Sequence, residues 1–134
     1  MPARMKNKKS IYVIVLISLF VGLLHFIFGP GYQGICRDFI RGYLIDILLP
    51  MDLYLLLQIS LRKRFTVNIS RITGAVLTFS FGLMVEFLQF HGIHFFGSTF
   101  DPLDILMYGT GVVSGLVIDL VIIDKLEKKG WDKK

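Results

Sequence analysis

Cysteine is nearly missing from this chain. Cys36 is the only one in 134 residues, so there is no internal disulfide and no Cys/His spacing for a metal. Charge is scarce too: Asp, Glu, Lys and Arg make up 19% of the residues, against about 25% in an ordinary soluble domain. No Ser/His/Asp or Cys/His set stands in a usable order, and neither a phosphate loop nor a cofactor fingerprint is present. Internal repeats and low-complexity segments are also lacking. These gaps argue against a stapled secreted domain, a zinc module and a small soluble enzyme.

What the chain has in their place is apolar length. Hydrophobic residues account for 54% of it, in four runs: Ile11 to Gly29, Gly42 to Leu61, Ile72 to Phe90 and Leu103 to Ile123. Each is close to the roughly 20 helical residues that cross a bilayer core, and none alternates with period two long enough for a barrel strand. The expected fold is all-α, an integral membrane bundle of four transmembrane helices. It forms one domain over 1–134, with spans at about 11–29, 42–61, 72–90 and 103–123. The first run follows Arg4, Lys6, Lys8 and Lys9 as a signal peptide would. It exceeds a signal core in length and no small-residue cleavage site follows, so it reads as a retained span ended by Gly29-Pro30-Gly31. Pro50 is expected to bend the second, with Asp52 either satisfying the freed carbonyls or joining a site.

Lys and Arg set the orientation. All fifteen except Arg37 and Arg41 fall before the first run, in the turn from Arg62 to Arg71, or in the tail from Lys125 to Lys134. The positive-inside rule then predicts both termini and that turn in the cytoplasm, with the tail and Trp131 anchored at the interface. Basic residues that abut spans do not form a nucleic-acid surface with stacking aromatics, so no nucleic-acid partner is expected.

Polar residues inside the runs gather at the opposite end. Asp46 lies near the start of the second span, Glu86 and Gln89 in the last turns of the third, and Asp101 and Asp104 at the start of the fourth. Arg37, Asp38 and Arg41 stand in the connection beside them. Glu86 and Gln89 continue a stripe through Gly82, Thr78 and Gly74, and Asp104 continues one through Tyr108, Gly111, Gly115 and Asp119. Small residues let membrane helices approach and carboxylates avoid lipid, so the Gly82/Glu86 face is predicted to pack against the Asp104/Gly111/Gly115 face. Gly111 and Gly115 favour packing within the chain over dimerisation. Glu86 is either held ionised by Arg41 or Arg37 or neutral; the sequence leaves both open. His91 and His94, three apart, read as solvated residues first and as a ligand pair or proton relay second.

These residues carry a resemblance. Glu86-Phe87-Leu88-Gln89, a short connection, and Ser98-Thr99-Phe100-Asp101-Pro102-Leu103-Asp104-Ile105-Leu106-Met107-Tyr108-Gly109-Thr110-Gly111 resemble the signature of the VanZ-like membrane proteins, in particular the small four-span DUF2809 branch. Arg41-Gly42-Tyr43-Leu44-Ile45-Asp46 is similar to that branch's Arg-x-Tyr-x-x-Asp opening of the second span. Many relatives place an arginine between the Glu/Gln and Asp elements, whereas Phe90 to Leu103 has none and offers His91 and His94. The named member of the family is associated with low-level resistance to teicoplanin-type glycopeptides. The resemblance therefore implies a cell-envelope role outside the cytoplasm, and it brings no reaction, cofactor or partner.

The functional expectation is an outward-facing pocket that binds ligand through Arg41, Asp46, Glu86, Gln89, Asp101 and Asp104. Arg41 would meet an anionic head group there while the carboxylates orient it or bind a cation. Expected partners are membrane lipids and an envelope lipid or lipid-linked precursor; no metal and no cofactor are expected, and catalysis and oligomeric state are left open. A small proton-coupled drug exporter is the alternative, since such exporters also have four spans and one membrane glutamate. Theirs lies in the first span and here it lies in the third. A non-catalytic structural partner of an envelope complex is the third reading.

Overall fold

The computed structural model describes Met5 and residues 7–29, 31–93 and 100–131. Among these the chain is helical throughout, without strands, and four helices are long and apolar enough to cross a membrane: α1 (Lys8–Ile27), α2 (Arg37–Leu61), α3 (Val67–Phe90) and α4 (Pro102–Lys129). The fold expected from the sequence is the fold observed, and the protein is a multi-pass membrane protein. Its outer surface supports this directly. Leu16, Leu19, Phe20, Leu23 and Phe26 on α1 and Phe81, Phe87, Leu106 and Val113 on α3 and α4 are all exposed. A soluble monomer rarely shows apolar patches beyond a few hundred Å². Here they form the belt that meets hydrocarbon.

Helix ends follow local chemistry more than hydropathy. Asn7 caps α1 by accepting the Lys9 N–H at 3.0 Å, and Asp101 caps α4 by accepting the Leu103 N–H at 2.9 Å, with Pro102 in the first turn where its missing N–H costs nothing. Both α2 and α3 start five residues before the apolar runs that announced them, and α4 continues six residues past its run. Hydropathy marks where hydrocarbon begins, whereas a helix runs on into the interface until a cap or turn stops it. Pro30, within the expected Gly29-Pro30-Gly31 stop, lies outside the described residues. Pro50 is buried within a continuous helical stretch of α2, which absorbs it.

The second helix is central. It touches α1, α3 and α4, and its interface with α4 is the most extensive in the molecule. The two predicted stripes are interior: Gly74, Thr78, Gly82, Glu86 and Gln89 are buried on α3, and Gly111, Gly115 and Asp119 on α4. Their pairing is only partly the expected one. Gly82 lies under the Tyr108 ring, so α3 and α4 do meet there. Gly111 and Gly115, however, face α2: a Cβ on Gly111 would run into the Ile47 carbonyl oxygen and Pro50, and one on Gly115 would sit 2.8 Å from Tyr54. The small residues of α4 thus seat α2, and Gly74 of α3 seats its Gln58 and Tyr54. Packing around Ile14, Tyr54, Leu55 and Ile123 fills the half of the bundle that holds the 62–66 turn.

Two short π-helical stretches interrupt the long helices, at Ile40–Leu44 in α2 and Asp119–Ile123 in α4. Such insertions shift the face that a helix presents and recur where side chains must be re-aimed. Each sits beside one of the molecule's two polar clusters.

Candidate functional site

The first cluster lies at the end of the bundle where α1 and α3 finish and α2 and α4 begin, called here the carboxylate end. The π turn of α2 brings Tyr43 to α4, where its hydroxyl donates to Asp101 Oδ2 at 3.3 Å. Three residues on, the half-buried Asp46 stands beside Asp104 of α4. From α3, Glu86 is 2% exposed and its Oε1 accepts from Tyr108 at 3.3 Å. The Asp101 backbone N–H approaches the same carboxylate, whose Oε2 is buried without a hydrogen bond of ordinary length. Gln89, one turn further along α3, is buried beside it.

The structure thus brings Asp46, Glu86, Asp101 and Asp104 from three helices to one level, linked through Tyr43 and Tyr108. Arg41 does not join them. It lies in the π turn, exposed, and among the described residues forms no ion pair with these carboxylates. Arg37 is spent on an exposed contact with Asp38. The four acids therefore face one another with no basic partner among the described residues. No group of three or more His, Cys, Asp or Glu there is arranged to hold a metal ion.

A cavity of about 210 Å³ adjoins the cluster, lined by His25 of α1, Asp46, Leu49 and Leu53 of α2, Thr78, Phe81 and Val85 of α3, and Tyr108 of α4. It exists because α1 packs on α2 and on the far end of α4 while making little contact with α3. Tyr108 serves both features, its ring against Gly82 in the cavity wall and its hydroxyl on Glu86.

The second cluster was not legible as one. Asp119, at the start of the π turn in α4, is fully buried and accepts from Arg62 at 2.5 Å, Arg71 at 3.0 Å and the Tyr54 hydroxyl at 3.1 Å. Arg71 reaches on to Asp124 at 2.6 Å. Two arginines expected to serve as loop charges are thereby buried or half-buried as ligands of one carboxylate. Asp52 accepts from the Ser18 hydroxyl of α1 at 2.5 Å.

Tyr43 and Tyr108, named in the motif segments, and His25 were not among the expected site residues, although signals existed. Tyr43 precedes Asp46 by three residues and Tyr108 follows Asp104 by four, so each shares a helix face with a carboxylate. His25 is an imidazole within an otherwise apolar run. Of the two histidines read first as solvated, His91 is exposed, with its ring nitrogen 2.9 Å from the Phe87 carbonyl and the ring packed on Phe87, and His94 lies outside the described residues. So do Ser98 and Thr99 of the motif, Arg4, Lys6, Lys133 and Lys134 of the basic ends, and the Trp131 side chain.

Comparison of the chain with family models, curated proteins and solved structures gives no match.

Proposed function

We propose that the protein is a VanZ-like membrane protein of the DUF2809 type, whose acidic pocket faces outward from the cell membrane and handles a component of the cell envelope. The observation that carries this reading is the meeting of Asp46, Glu86, Asp101 and Asp104 at one end of the bundle, joined through Tyr43 and Tyr108. These residues come from the segments that carry the resemblance, 41–46, 86–89 and 101–111. Carboxylates at membrane depth are costly, and they persist where they act on a ligand or an ion pathway. The skew of Lys and Arg towards the other end supports cytoplasmic termini and hence an outward pocket. In this reading Gln89, buried one turn beyond Glu86, belongs to the same site, and the exposed Arg41 meets a phosphate. An envelope lipid or lipid-linked precursor is the partner such a site suits, and a contribution to glycopeptide tolerance is the phenotype that the resemblance implies.

The test is native mass spectrometry of protein gently extracted from its own membranes, wild type beside Glu86→Gln. A specific envelope-lipid adduct on the wild type that the variant loses is the expected result. No adduct on either protein would overturn the reading.

A further inference from the structure

The cavity beside the carboxylates has a direction. Asp46 marks the carboxylate end of its α2 wall and Leu53 the deep end, seven residues away, or about 10 Å at 1.5 Å per residue. Its polar residues His25, Asp46 and Tyr108 border the upper part, and Leu49, Leu53, Phe81 and Val85 supply an apolar lining. His25, Leu49 and Phe81 are exposed, all three within membrane spans, so the mouth opens sideways into hydrocarbon. An apolar cavity of about 150 Å³ accommodates a benzene-sized group. At about 210 Å³, this one has room for a segment of alkyl chain below a small head.

The polar end is selective in sign. Asp46 and Asp104 approach each other, Glu86 and Asp101 stand behind them, and Tyr43 and Tyr108 donate to the outer pair. Among the described residues His25 is the only basic side chain lining the cavity, and Arg41, five residues before Asp46 on α2, is exposed. Two buried polar atoms are left without partners near the cavity: Glu86 Oε2, in a residue 2% exposed that adjoins the wall residue Val85, and, about 12 Å further down α3 in the wall itself, the hydroxyl of Thr78, in a residue 1% exposed. Buried polar atoms in folded proteins are nearly always satisfied, so orphans beside an opening signal a missing donor.

We infer that this cavity takes the ammonium head of a membrane aminolipid, seated between Asp46 and the carboxylates behind it, with the first part of one chain lying along Leu49, Leu53 and Phe81. The inference rests on the proposed envelope role and names the ligand class of that same site. An ammonium carries three donors and no acceptor, which suits carboxylates that have no basic partner among the described residues. The aminolipid phosphate then lies above the pocket, on the side of the exposed Arg41.

The test uses the full chain in nanodiscs of equal phosphatidylethanolamine and phosphatidylglycerol, with the lipids retained after gentle release counted by native mass spectrometry. Charge-assisted hydrogen bonds contribute about 1.5–3 kcal/mol net, so retention of phosphatidylethanolamine is expected to exceed that of phosphatidylglycerol by about tenfold or more. Replacing it with its N-acetylated form, which keeps the phosphate and chains but has no ammonium, is expected to abolish the preference in the unaltered protein. Asp46→Asn and the cavity-filling Leu49→Trp, each first checked for helicity, should abolish it too. Retention that mirrors the nanodisc composition, or equal retention of the acetylated lipid, overturns the inference. If an amine-free envelope lipid is nevertheless lost on Glu86→Gln from native membranes, the envelope role stands and only the ammonium assignment falls. If the aminolipid is enriched here while native extraction yields no adduct, the envelope role falls and the pocket remains.

Discussion

Asp119 shows how much one buried carboxylate can organise. It draws Tyr54 of α2, Arg62 at the start of the turn that follows, and Arg71 of α3 onto its two oxygens. Removing one member of such a buried set leaves charges without a partner at a cost of about 3–5 kcal/mol, more than the pair contributes relative to a well-packed apolar replacement. Asp119→Ala is therefore expected to lower the thermal midpoint in detergent sharply, whereas Asp38→Ala, which removes an exposed contact, leaves it within error; differential scanning fluorimetry reads both. At this scale the sequence was half legible. Asp46, Glu86, Asp101 and Asp104 could be assembled because they share a depth and lie in spans where carboxylates stand out. The Asp119 cluster could not, because its arginines read as loop charges and a π turn, which hydropathy does not register, aims the carboxylate at them. Whether Arg41 would pair with the carboxylates was not legible for a similar reason: its place in the chain fixes its depth but not the direction of its side chain, and in the structure it is exposed in the π turn.

Among the helices, glycine placement decides who touches whom. Gly111 has no room for a Cβ against the Ile47 carbonyl oxygen, a backbone atom that cannot swing aside, while Gly109, on the same helix, meets nothing nearer than Phe79 at 3.7 Å. Gly111→Ala is expected to force α2 and α4 apart and cost about 1–3 kcal/mol, the usual range for overpacking. Gly109→Ala is expected to be neutral, and thermal midpoints of the two variants check the contrast. The stripes on α3 and α4 were legible as buried faces from their spacing of three and four. Their partners were not, since a small-residue stripe shows that something packs closely and carries no label for what. The sequence suggested α3 and α4 as a pair, and α2 takes most of the α4 stripe because Ile47, Pro50, Met51 and Tyr54 lie in its groove.

For the whole molecule, the four spans were legible to within about one or two turns, because a bilayer imposes one length on every crossing. The orientation we propose gives a direct outcome: a fluorescent protein fused after Lys134 lights up, and a phosphatase that needs the far side of the membrane stays inactive when fused there. The reverse pattern would turn the carboxylate end inward. One further consequence comes from the tie between the two ends of the bundle. Asn7 Nδ2 donates to the Leu126 carbonyl at 2.6 Å, and its backbone N–H approaches Glu127 at 3.4 Å. The start of the first helix and the end of the last are thus neighbours on one side of the bundle, the side that also holds the 62–66 turn. A circular permutant that links the tail to Asn7 and opens the chain between Arg64 and Phe65 keeps every helix in place and every crossing in its direction. It inserts α3 and α4 before α1 and α2. If that permutant retains the thermal midpoint of the parent, the order in which the helices enter the membrane carries no information that the finished bundle needs.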